Sequence, residues 1–156
     1  MRARNVILLV LVLLFAVLVL GIVRVVRLPS HALLVLGIAF AVLGAALTVL
    51  TVRLPETGTR KAFFIATGAA AAGIPVFAIL HNVVYGLFIL WFGDDFWQRH
   101  GMPDEPVFFV LAVLVCPAVF VIGATAGGIL LLLSKIKRNP PEPLQPSLSD
   151  ANDRQR

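Results

Sequence analysis

Few side chains in this apolar sequence could do chemistry: His81, Asn82, Tyr85 and Cys116 stand almost alone within long hydrophobic runs. His81 and Tyr85 are four residues apart and Asn82 and Tyr85 three, so on a helix they are neighbours. An imidazole can relay a proton or ligate a metal, and a thiolate can do the second. An ionisable group inside an apolar run is a functional hypothesis by default. His81 lies 11 residues before Phe92, ~16 Å along a helix and close to mid-bilayer. In an antiparallel hairpin its counterpart falls near position 118, which brings Cys116 to the same depth. Two ligands are too few for a closed metal site. Haem held by two histidines would need a second one in the membrane, and His31 and His100 fall in outer loops.

The competing reading is a framework one. A neutral His81 would hold helices together, at ~0.6 kcal/mol for an average interhelical hydrogen bond in a membrane, and Cys116 would be a small apolar filler. This reading is preferred because a neutral His81 can satisfy itself locally and is expected to have no acidic partner. No Asp or Glu precedes Glu56 and none lies inside any apolar run, which also argues against a carboxylate-driven carrier. A neutral path lined by His81, Asn82 and Tyr85 stays open as the alternative.

Outside the runs, Asp94, Asp95, His100, Asp104 and Glu105 share one loop. They match no ligand spacing, and solvation of the loop is the expected role. No nucleotide-binding, hydrolase, kinase or zinc-protease motif occurs, and no cofactor is expected. The single cysteine excludes an internal disulfide. The net charge of +5 comes without a basic patch interleaved with aromatics, so nucleic acid is not an expected partner.

The elements that must position these residues follow from composition. The 156 residues are 60% hydrophobic and 13% charged, with a mean hydropathy of +0.98, too apolar for a small globule to hide. The expected fold is all-α: a four-helix integral membrane domain over residues 1–138, with spans at about 6–26, 32–52, 62–92 and 107–133. Each is near the ~20 residues that a bilayer needs, except the third. That one is too long for a straight crossing, and Pro75 is expected to kink it. The first run could be confused with a signal peptide, but its 18-residue apolar core, Val6–Val23, and the following Arg24 and Arg27 favour a retained anchor. Residues 139–156 are rich in Pro and polar residues and are expected to be a disordered cytoplasmic tail.

Small residues point to helix contacts. Gly123 and Gly127 form a GxxxG pair, Gly68 and Ala72 a small-residue patch, and Gly37 begins a spacing of small residues in span two. Span one has few small residues and is expected on the lipid-facing side. Counting basic residues beside the spans puts eight (Arg2, Arg4, Arg53, Arg60, Lys61, Lys135, Lys137, Arg138) on the side of the termini and three (Arg24, Arg27, Arg99) opposite. Both termini are therefore expected in the cytoplasm of a plasma membrane. The Arg-over-Lys skew reads as a GC-rich prokaryotic genome. The expected function is a non-enzymatic accessory or oligomerising subunit, with the lipid bilayer and a second copy or another membrane protein as partners. A small transporter or pore is the alternative, and a redox or metal protein the third reading.

The topology has a direct test. In a Cys116→Ala background, a Ser149→Cys probe should resist a membrane-impermeant thiol reagent in intact cells and react after lysis; labelling in intact cells reverses the orientation.

Overall fold

The computed structural model describes residues 3–55, 57–102 and 105–138. The tail 139–156 lies outside the described residues. Among them every regular element is helical: α1 (Ala3–Ile22), α2 (Ser30–Val52), α3 (Thr59–Phe92), the short α4 (Phe96–Arg99), α5 (Pro106–Val110), a π-helical turn (Leu111–Val115) and α6 (Cys116–Arg138). Four helical stretches are long and apolar enough to cross a membrane, the last running from Pro106 to Ser134 through α5, the π turn and α6. Much of their apolar surface is open, including Leu13 at 58%, Leu34 at 65% and Ile122 at 63% exposure. Water would not tolerate such surface over four helices, and hydrocarbon does. The architecture is that of a multi-pass membrane protein.

α1 starts and ends earlier than the expected residues 6–26. It stops at Ile22, and Arg24 adopts a left-handed backbone (φ 60°). The Val26 N–H then turns back to the Leu20 carbonyl at 3.1 Å, satisfying an end group that further helix would have used. α3 takes Pro75 inside one unbroken helical run of 34 residues, about 51 Å long at 1.5 Å per residue. Its first turn secures the preceding helix: Lys61 Nζ donates to the Val52 and Leu54 carbonyls at 3.1 and 2.8 Å, a cation on a helix C-terminus. At its far end Arg99 donates to the Phe92 carbonyl at 2.8 Å.

α3 is the central helix, packed on α2 along one side and on α6 along another. The backbones touch where side chains are absent. A Cβ on Gly44 would lie 2.7 Å from the Gly68 carbonyl and 2.8 Å from the Ala72 nitrogen. One on Gly68 would collide with Thr48 Oγ1 and the Gly44 carbonyl. On the α6 side a Cβ on Gly123 would fall 2.5 Å from Thr67 Oγ1 and 3.2 Å from the Phe63 carbonyl. Gly127 makes ordinary contact with the Phe64 ring at 3.6 Å. Gly37, by contrast, faces open space, with nothing within 4 Å of a Cβ there; the close contact on α2 belongs to Gly44. α1 is more than a lipid-facing rim. Leu11 is fully buried, and the Phe15 ring sits 6.0 Å from Phe40 and 4.7 Å from Phe120, tying α1 to α2 and α6. Arg4 is buried with its guanidinium 4.6 Å from the Phe64 ring centroid, a cation–π contact onto α3.

These contacts predict an ordered set of stabilities. Gly44→Leu and Gly123→Leu should each cost at least ~1–3 kcal/mol, the usual penalty for overpacking, while Gly37→Leu should cost nothing measurable. Thermal denaturation in mild detergent separates them, and equal melting temperatures for all three would refute the assignment.

Candidate functional site

Within about one turn α3 holds three polar side chains, His81, Asn82 and Tyr85, and each meets a different neighbour. His81 faces the start of the last span. Its Nδ1–H donates to the Glu105 carbonyl at 3.0 Å and lies 3.5 Å from Glu105 Oε2. The Glu105 side chain is buried and accepts from the Val107 and Phe108 N–H groups at 2.8 and 2.9 Å. It is thus the N-cap of α5, with Pro106 in the first position after it. A carboxylate is stabilised there by two otherwise unpaired N–H groups and by the positive end of the helix. The imidazole also lies 5.6 Å from the Phe109 ring. One pair of residues therefore fastens α3 to the first turn of the last span.

This geometry corrects two expectations. His81 has an acidic partner, supplied by the loop rather than by a span. It also does not sit level with Cys116. The Cys116 sulfur is 3.0 Å from where a Cβ on Gly73 would be, eight residues before His81 and ~12 Å away along α3. The reason is the unequal length of the hairpin arms. α3 continues 11 residues beyond His81 to Phe92, and the chain then returns along its flank before the last span begins at Pro106. His81 consequently lies at the level where that span starts. Cys116 is buried between helices, and no thiol–imidazole pair forms.

Tyr85 stacks on Trp97 at 5.8 Å and 11°, and the Trp97 indole N–H reaches the Tyr85 carbonyl at 3.4 Å. Trp97 is buried and also meets Phe88 at 5.3 Å. With Phe92 and Phe96 these rings hold α4 against the end of α3. Asn82 turns the other way. Its amide donates to the Ala78 carbonyl of its own helix at 2.8 Å, and it edges a groove of about 410 Å³ lined also by Leu33, Gly37 and Pro75. His81, Asn82 and Tyr85 therefore do not line one path.

Asp95 and His100 in the loop have local contacts. Asp95 pairs with Arg99 at 3.1 Å, and His100 Nδ1 is 2.7 Å from the Phe96 carbonyl. His31 lies in the first turn of α2 rather than in a loop. No group of three metal-ligating side chains occurs among the described residues, and Asp104 lies outside them. Glu105 is the site residue that sequence reasoning assigned only to loop solvation, and its signal is the Glu-Pro pair directly before an apolar run.

No protein-family model matches the chain, and no curated protein and no solved structure matches it either. The reading of the site therefore rests on its own geometry.

The clamp predicts a graded response. Glu105→Gln retains a cap oxygen and should cost less than Glu105→Ala, which removes both acceptors and should lose ~0.5–2 kcal/mol of helix stability. Thermal denaturation of the two variants measures the difference; an unchanged melting temperature in Glu105→Ala would show that the cap contributes nothing.

Proposed function

We propose that the protein is a non-enzymatic accessory or self-associating subunit of a prokaryotic plasma membrane, with both termini in the cytoplasm. One observation supports this reading above the others. Each polar side chain in the outer half of α3 has a separate local contact: His81 with Glu105, Tyr85 with Trp97, and Asn82 with its own helix. A relay or pore needs such groups to converge on a shared space, and these diverge. The open apolar surface of the outer helix faces leaves room for lipid or a protein neighbour.

The test is functional replacement. In a deletion strain with a scored phenotype, His81→Gln and Tyr85→Phe should both fold, reach the membrane and complement. Purified protein in liposomes should raise the permeability to protons or small ions by no more than empty vesicles show. A folded His81→Gln protein that fails to complement, together with wild-type flux above that baseline, would replace this reading with the small-transporter alternative.

A further inference from the structure

The helix contacts are unevenly distributed along the bundle. The glycines whose added Cβ would lie within 3.2 Å of a neighbouring helix backbone (Gly44, Gly68 and Gly123) lie toward the termini, on one side of the level set by Gly73 and Cys116. On the other side Gly37 and Gly86 meet nothing within 4 Å, as Gly128 does on the lipid face of α6, and the 410 Å³ groove separates α2 from α3. The dividing level itself is weakened in both arms of the hairpin. In α3 it carries Pro75, whose missing N–H removes one rung of the helix and whose ring crowds the Ala71 carbonyl. In the last span it carries the π turn Leu111–Val115, where the Cys116 N–H bonds back to Leu111, followed by Pro117. The two weak points touch through Gly73 and Cys116. Sharp helix bends concentrate at prolines and at π turns.

Beyond that level α3 is held to the last span by the His81–Glu105 contact and by the facing rings of Phe77 and Phe108, 6.1 Å apart. From these observations we propose that the outer part of α3, from Val76 to Phe92 with α4 attached, is a hinged arm. It pivots at Pro75 toward α2, into the groove over Gly37, and the His81–Glu105 contact is the latch that holds it against the last span. Swinging the arm closes the groove and parts α3 from α5. The inner part of the bundle stays fixed, because its backbones are already in contact. This inference is independent of the accessory reading, since a hinge would serve a subunit or a carrier alike.

The arm is long enough to measure. Leu90 is 77% exposed and lies 15 residues past Pro75, ~22 Å along the helix. A bend of ~20° displaces it by ~8 Å. Nitroxides at Leu90→Cys and Ile122→Cys, in a Cys116→Ala background in lipid nanodiscs, report the arm against α6. A Val49→Cys and Ile122→Cys pair reports the inner part. In His81→Leu the first distance distribution should shift or broaden by about 5–10 Å, on the scale of that bend, while the second stays unchanged. Adding Gly37→Phe, which fills the groove, should restore the original distance. An unmoved Leu90 label in His81→Leu overturns the latch. Movement of both pairs overturns the hinge in favour of general loosening, and movement that survives Gly37→Phe overturns the direction. Should His81→Leu aggregate, His81→Asn, too short to reach the Glu105 carbonyl, gives the same readout.

Discussion

Everything in this bundle depends on α3 touching two other helices at once through its backbone. In hydrocarbon, lipid tails solvate apolar side chains as well as a neighbouring helix does, so burial alone gives no reason to associate. Attraction has to come from dispersion at close range, and that needs small residues facing one another. Gly44 against Gly68 and Ala72 supplies it on the α2 side, and Thr67 against Gly123 supplies it on the α6 side. The threonines fit because each hydroxyl donates within its own helix, Thr48 to the Gly44 carbonyl at 3.1 Å and Thr67 to the Phe63 carbonyl at 2.8 Å. A small polar side chain then enters the interface without carrying an unmet donor. With α3 fixed on both sides, the large rings of Phe15, Phe40 and Phe120 fill the space that α1 covers.

That division of labour explains what the sequence discloses and what it withholds. The existence of four spans was legible because it depends only on length and polarity, quantities that no packing detail alters. Gly123 was legible as a contact because GxxxG is defined within one helix. Gly37 and Gly44 were not separable by such reasoning. α2 is apolar on every side, so no periodic polar stripe tells which face turns inward, and a spacing of small residues from Gly37 fits as well as the true face. The end of α1 was misread for a related reason: Val23, Val25 and Val26 are as apolar as the helix before them, and only the backbone at Arg24 stops it.

The His81–Glu105 contact was hidden by a different kind of information. Its two residues are 24 positions apart, and whether they meet depends on where the chain turns back. Counting inward from Phe92 assumes that both arms of the hairpin start at one level. Phe92 to Phe96 instead carry the chain past the head of the last span, and Trp97 folds it down onto Tyr85 and Phe88. The aromatic cluster thus sets the register of the hairpin, and the register decides that the imidazole meets a carboxylate instead of a thiol.

The same register accounts for the presence of a buried acid in so apolar a protein. A carboxylate placed mid-span would lose its water and gain nothing in return. At the head of the last span it meets two backbone N–H groups that lack intrahelical partners, and the imidazole N–H serves the adjoining carbonyl. Three backbone groups at the head of the span are served together by two side chains. The last span therefore begins at Pro106 against α3, where Glu105 caps it and His81 holds the cap. The position of that start, and with it the level at which Cys116 reaches Gly73, is a consequence of hydrogen bonding at one helix end.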